Sequence, residues 1–206
     1  MYPRKDESII IAASQLLKTP RKEFTMSLPE KNTYTTDYIY SLPEGQRAEL
    51  IDGQIYNMAP PSRIHQKLVM EMSASIREYI RDNSGGCEVY PAPFAVFLNA
   101  DDKNYVEPDI SVICDKSKLD DRGCNGAPDW IVEIASPSTS ALDYGVKLFK
   151  YRTAGVREYW IINPIKHSVM VYDLEHNAKT NQYNFDDLIS ASIYKDLNIR
   201  VADLLE

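Results

Sequence analysis

From Thr35 onward, apolar runs alternate with polar, turn-forming stretches, and the spacing inside each run predicts its element. Residues 36–42 suit a short helix capped by Thr36 and ended near Pro43. Residues 47–51 and 54–58 flank Asp52-Gly53, a pair that tolerates the positive backbone angles of a tight turn, and so predict a hairpin. Ile64, Leu68, Met72, Ile76 and Ile80 recur every four residues between Ser62 and Arg81, the stripe of a half-buried helix that Gly85-Gly86 ends. Three strands are expected over 87–98, 105–114 and 130–135, parted by loops rich in Asp, Asn and Gly. A second helix is predicted from about Ser138 to Ala154, with Gly155 at its C-terminal cap. Residues 158–162 and 168–174 pair as a hairpin across Asn163-Pro164, and the remainder through Ile199 and Leu204-Leu205 predicts a closing strand and a short terminal helix.

Hairpin, helix, three strands, helix, strands is the order of an α/β or α+β fold, a mixed β-sheet flanked by helices with an extra N-terminal hairpin. Residues 1–33 are charged and broken by proline, with one helical patch over 7–18, and are expected to form an appendage; residues 34–206 form the domain. Neither a Gly-x-Gly-x-x-Gly nor a Gly-Lys-Ser/Thr motif occurs, so Rossmann and P-loop nucleotide binding are unsupported.

Composition narrows this further. No stretch approaches the roughly 20 apolar residues of a membrane span. Asp6 and Glu7 interrupt the basic start that a secretory signal would need, so a cytoplasmic protein with no membrane partner is expected. Cys87, Cys114 and Cys124 are odd in number and lack Cys-x-x-Cys spacing, which predicts free thiols and neither a disulfide framework nor a zinc site. The net charge of −7 argues against a broadly basic, phosphate-binding surface, but it leaves room for a local groove beside catalytic carboxylates.

Two carboxylates carry the candidate chemistry: Asp109 in Val106-Glu107-Pro108-Asp109-Ile110-Ser111-Val112-Ile113, and Glu133 in Asp129-Trp130-Ile131-Val132-Glu133-Ile134-Ala135. An ionised carboxylate in the interior is costly unless it is paired or holds a cation, so two on neighbouring strands suggest a shared metal. Mg²⁺ or Mn²⁺, which prefer oxygen donors, are the matching ions. Pro108 removes a ladder donor just before Asp109, the mark of an edge, bulge or site-facing turn. Glu133 stands where its strand stops and the next helix begins.

These segments resemble the PD-(D/E)XK nuclease superfamily, and within it the Uma-type group of restriction-endonuclease-like proteins. The resemblance spans about Tyr34 to Tyr172 and rests on Ala48-Glu49-Leu50-Ile51-Asp52-Gly53, the helix opening with His65, Glu107-Pro108-Asp109, Glu133-Ile134-Ala135-Ser136-Pro137-Ser138-Thr139, Asp143 with Lys147 and Tyr151, and Gly155-Val156-Arg157-Glu158-Tyr159-Trp160. It implies a restriction-endonuclease-like core and a metal-dependent DNA endonuclease. Asp109 and Glu133 would be the acidic ligands, and the Ile134 carbonyl would complete the coordination. Ala135 departs from the pattern, since the superfamily places Lys two residues after the second acid. The Uma-type resemblance offers Lys147 in its stead, the superfamily resemblance implies Glu49 as an additional ligand or water holder from the N-terminal elements, and His65, as an imidazole, is a candidate to orient water, bind phosphate or act as general acid.

Each role has a plainer counterpart. Asp143 and Lys147 at i, i+4 would also suit an ion pair on an exposed helix. Glu49 would also suit a solvated strand, and His65 a contact with backbone at a helix start. Lys150 lies elsewhere on the helix, and His167 and His176 are expected in the exposed later hairpin. Tyr151, Tyr159 and Trp160 are assigned to core packing ahead of base stacking. Cutting both strands of DNA would call for two sites, hence a homodimer. The alternatives are a nuclease fold retained as a catalytically inactive binding or assembly module, and a metal-dependent hydrolase of another phosphoester.

Overall fold

Strand alternation sorts the central apolar runs onto the two faces of one sheet, and the other layers pack against those faces. The computed structural model describes residues 33–176, 180–194 and 196–206, so the helical patch over 7–18 and nearly all of the expected appendage lie outside the described residues. In chain order come α1 (Thr36–Tyr40), β1 (Ala48–Ile51), β2 (Gln54–Asn57), α2 (Arg63–Asp82), β3 (Glu88–Pro91), β4 (Val96–Phe97), β5 (Tyr105–Val106) and β6 (Ile110–Ile113). Then follow β7 (Leu119–Asp120), β8 (Gly123–Asn125), β9 (Trp130–Ile134), α3 (Ser140–Leu142), a π turn (Asp143–Lys147) and α4 (Leu148–Ala154). β10 (Glu158–Asn163), β11 (Ser168–Asp173), β12 (Asn181–Asn184), β13 (Ile189–Ser190), β14 (Asn198–Ile199) and a 3₁₀ turn (Val201–Leu205) complete the described elements.

The main sheet has the order β12-β11-β10-β9-β6-β3, with β9 and β10 parallel and the other neighbours antiparallel. A second sheet, β2-β1-β5-β4-β8-β7, is likewise mixed, with β4 and β8 its parallel pair. On one face of the main sheet, Ile110, Val112, Trp130, Val132 and Ile134 pack against Leu68, Met72 and Ile76 of α2. On the other, Ile113, Ile131, Tyr159 and Ile161 meet Val96 and Val106 of the second sheet and Tyr151 of α4. Asp109 and Glu133 share the odd-numbered parity of this second face, where Glu133 meets Tyr151 of α4, while Asp109, just outside β6, reaches His65 at the start of α2.

The apolar stripe of α2 is buried as its four-residue period predicts, and the Ser62 hydroxyl accepts from the His65 N–H at 3.3 Å as the N-terminal cap. Asp52 and Gly53 take φ of 49° and 72° and close the β1–β2 hairpin. Gly155, at φ 97°, ends α4. At the C-terminal end, the fully buried Glu158 carboxylate accepts from the Ser192 and Ile193 N–H groups, each at 3.0 Å, and so fastens that segment to β10.

Several expectations are corrected. The strands expected over 87–98 and 105–114 are each cut in two, and their halves join different sheets, because Pro91, Pro93 and Pro108 supply no ladder donors. The polar loop after Ile113 contains the short β7–β8 hairpin. α1 is capped at Thr35 without a side-chain bond, not at Thr36. The second helix is interrupted by the π turn. Cys87 and Cys114 form a disulfide with an S–S length of 2.06 Å, not two free thiols. The antiparallel register that pairs Glu88 with Ile113 makes the two cysteines opposite neighbours, which their separation in sequence conceals. Cys124 stays a free, buried thiol, pushed up to about 11 by desolvation. Among the described residues no helix is long and apolar enough to cross a membrane.

Two glycines separate backbone strain from backbone entropy. Gly123 has φ 146°, and a Cβ there would lie 2.2 Å from the Ala95 carbonyl oxygen, whereas one at Gly145 would meet nothing within 4 Å. Gly123→Ala is expected to lower stability by about 2–3 kcal/mol, and Gly145→Ala to raise it by about 0.5–1 kcal/mol. Urea unfolding measures both, and coincident midpoints for the two variants would refute the close approach at Gly123.

Candidate active site

The register that sets Ile110 opposite Val132 brings the residue preceding β6 beside the end of β9. Each of the two carboxylates then accepts from a backbone N–H of the neighbouring segment. The Asp109 N–H donates to Glu133 Oε2 at 3.3 Å, and the Ile134 N–H donates to Asp109 Oδ2 at 2.7 Å. His65, in the first turn of α2, brings Nε2 to 3.1 Å from the same Asp109 oxygen. The break at Pro108 is what lets this carboxylate leave the ladder and join the site.

Lys147 enters from the opposite side. Its ammonium lies 2.8 Å from Glu49 Oε2, 2.9 Å from Glu133 Oε1 and 3.9 Å from Asp143 Oδ1, with the side chain only 5% exposed. The exposed-helix ion pair is therefore not what forms: both members are buried, and Lys147 is closer to Glu49 and Glu133 than to Asp143. The Tyr151 hydroxyl, one turn further on, donates to Glu133 Oε1 at 2.8 Å. Glu49 in turn accepts from the Glu107 N–H at 3.0 Å, and Glu107 is held by the Tyr105 hydroxyl at 2.7 Å and by the Arg47 guanidinium.

The electrostatics follow from crowding one ammonium among four carboxylates. Desolvation pulls Lys147 toward its neutral form, but Glu133, Glu49 and Asp143 together outweigh it and hold the amine firmly charged. Burial raises Glu133 well above the usual carboxylate range; Lys147 opposes the rise, while Asp109, Asp143 and Glu49 add to it. Asp143 is pushed up to about 6, by burial first, against the pull of Lys147 and a hydrogen bond from Thr139. Burial, with Glu133 and Glu49, keeps the Tyr151 hydroxyl protonated. The surplus is negative, which is the condition a divalent cation relieves.

The donor set suits a hard ion held by few side chains. Among the described residues no three His, Cys, Asp or Glu side chains converge as a ready ligand cluster. What converges is a pair of carboxylates, Asp109 and Glu133, and Mg²⁺ is commonly held by one or two carboxylates with water and substrate oxygens filling the rest. Asp109, Glu133 and the adjoining Ile134 carbonyl thus fit such an ion in type and in excess charge.

A cavity of about 340 Å³ opens onto these groups and is lined by Glu49, His65, Asp109, Glu133, Ile134 and Lys147, every site residue expected from the sequence. Ala135 lines it as well, on the same strand face as Glu133, and the Lys147 ammonium stands 2.9 Å from that glutamate. Lys150 instead pairs with Asp52, and His167 and His176 are exposed. Tyr151, Tyr159 and Trp160 are buried as expected, but packing is only part of Tyr151's role, since its hydroxyl reaches the site. Asp143, Glu107 and Arg47 were not singled out as site residues. The i, i+4 spacing to Lys147 and the Glu-Pro-Asp tripeptide were signals for the first two; Arg47 offered none.

Two sheets, flanking helices and carboxylates clustered at a strand end with a buried lysine define a restriction-endonuclease-like architecture. The comparisons agree. The model of the Uma2 family, described as a putative restriction endonuclease, matches residues 35–202, and the chain belongs to that family. An uncharacterized protein of Synechocystis sp. is 27% identical over 128 residues, which covers 62% of this chain and 66% of that relative. A crystal structure of a putative nuclease of the DUF820 group from Anabaena variabilis aligns with a TM-score of 0.67 over 82% of this chain and 96% of that one. At 24% identity it shows the shared fold.

Folding raises the Asp143 carboxyl from its ordinary 3.8 to about 6. The stability it contributes is therefore complete below the lower value and is lost as pH rises through the upper one. Asp143→Asn, which cannot ionise, is expected to gain on the wild type by about 2 kcal/mol between pH 4 and pH 7. Thermal or urea unfolding across that window tests this; a difference that stays flat with pH would mean that Asp143 is ionised throughout.

Proposed function

We propose that this protein is a divalent-metal-dependent endonuclease that hydrolyses DNA phosphodiester bonds, with Asp109, Glu133 and the Ile134 carbonyl as the donors for Mg²⁺ or Mn²⁺. The observation that carries the reading is the single ammonium of Lys147 beside Glu133, in a cavity whose other charged walls are mostly carboxylate. Membership of a family described as a putative restriction endonuclease supports it.

Hydrolysis adds water across one P–O bond: the water oxygen bonds to phosphorus, and the departing oxygen leaves with a proton. A divalent cation bound at these donors would acidify the attacking water and neutralise charge on the phosphoryl oxygens. Lys147 contributes a fixed positive charge where negative charge grows in the transition state, and burial makes that charge worth more than it would be in water. Glu49 and Asp143 keep the ammonium in place, and the Tyr151 hydroxyl orients Glu133. His65 steadies Asp109 and offers a ring nitrogen for moving a proton. One observation favours an inactive binding module instead: Ala135 occupies the position of the motif lysine. The ammonium of Lys147, 2.9 Å from Glu133, supports the catalytic reading over it.

Cleavage of plasmid and of single-stranded DNA with Mg²⁺ or Mn²⁺ tests the assignment. Asp109→Asn and Glu133→Gln preserve shape and remove charge, and each is expected to lower the rate by at least about 100-fold, as is Lys147→Met. Circular dichroism checks that the variants are folded. Equal cleavage by wild type and all three variants would trace the activity to a contaminant and end the enzyme reading.

A further inference from the structure

The space above Glu133 is a pit more than a groove. Lys147 and Glu133 side chains are each 5% exposed at its floor, and its volume of about 340 Å³ is near the low end for a drug-sized ligand, about one nucleotide. Five acids line it, Glu49, Glu107, Asp109, Glu133 and Asp143. The lining Arg47 and Lys147 are both engaged by carboxylates. A long run of duplex phosphates is gripped by many lysines and arginines at once, whereas the walls of this cavity carry two, both engaged, which leaves room for one phosphate beside a bound cation.

Part of the wall is apolar. Tyr56, Met58, Pro60, Pro93, Pro164 and Ile165 line the cavity, and Ile165 stands 70% exposed. Tyr56 is directly across the hairpin from Glu49, so an aromatic face adjoins the charged floor. Such walls suit the flat, apolar face of a nucleobase that has left its stack. A duplex keeps its bases stacked and is stiff over about 150 base pairs, so it does not bend one phosphate into a narrow pit. A single strand turns freely about its backbone and can do so.

We propose that the site acts on unpaired DNA, taking one nucleotide of a single strand into the pit with its base against Tyr56 and Ile165 and its phosphate above Asp109 and Glu133. This rests on the nuclease reading and names its substrate class. A single strand also needs only one site per cut, so one copy of the chain suffices.

Three labelled substrates of one sequence test it with Mn²⁺: a single strand, a blunt duplex, and a duplex carrying a single-stranded flap. The single strand and the flap are expected to be cut at least about tenfold faster than the blunt duplex, with flap cleavage confined to unpaired positions. Fluorescence anisotropy gives a second readout that needs no turnover. Glu133→Gln protein should bind the single strand, and adding Ile165→Ser or Tyr56→Ala should weaken that binding about fivefold or more. The exposed Ile165 can be exchanged without disturbing the core, so its effect is separable from misfolding. Equal or faster cutting of the blunt duplex would overturn this inference and leave the nuclease reading standing. Unchanged binding by both added variants would overturn the assignment of the wall. Failure to cut any of the three would remove the nuclease reading, and this inference with it.

Discussion

One buried ammonium holds the site together. Lys147 reaches Glu133 on the main sheet, Glu49 on the second sheet and Asp143 on its own turn, so a single positive charge ties three layers of the molecule at one point. The arrangement is not an easy route to stability. Ion pairs taken out of water recover little of their desolvation cost, and hydrophobic side chains of similar volume would often serve the fold as well. Three carboxylates around one lysine, with Asp109 beside a histidine at the edge, leave a surplus of acidic groups over basic ones. The divalent cation of the proposed function would offset that surplus.

Both sheets are shaped by breaks in their strands. Where the chain runs through Glu107-Pro108-Asp109, it leaves one sheet and enters the other, and within those three residues it supplies a backbone donor to Glu49, a carboxylate for Arg47 and Tyr105, and the Asp109 carboxylate itself. A continuous strand would have spent the Glu107 N–H in a ladder and kept the chain within one sheet. The interruption puts them on one wall.

Legibility in the sequence followed physical range. The α2 stripe, the Asp-Gly hairpin and the Gly155 cap are local, and periodicity or turn chemistry exposed them. Asp109 and Glu133 stood out because charge in an apolar run is conspicuous at any distance. The Cys87–Cys114 bridge and the Glu107–Arg47 contact depend on which strands become neighbours, and neighbours are set by the whole fold. β7 and β8 are too short to show a period. The partnership of Lys147 with Glu133 was suggested by family resemblance alone, since helical spacing pointed to Asp143, and the π turn left no mark in composition or pattern.

That π turn has a consequence for how the segment can change. Lys147 and Tyr151 both meet Glu133, one at the end of the wide turn and the other on the helix that follows it. Each residue of an α-helix advances its side chain by about 100° around the axis. Deleting a single residue between Asp143 and Lys147 would turn Asp143 away from the Lys147–Tyr151 pair that meets Glu133, while exchanging the exposed Gly145 or Val146 for another residue would leave these angles intact. Along this stretch the spacing is under tighter constraint than the identity of the residues that fill it, so drift in letters and fixity in length are what its relatives should display.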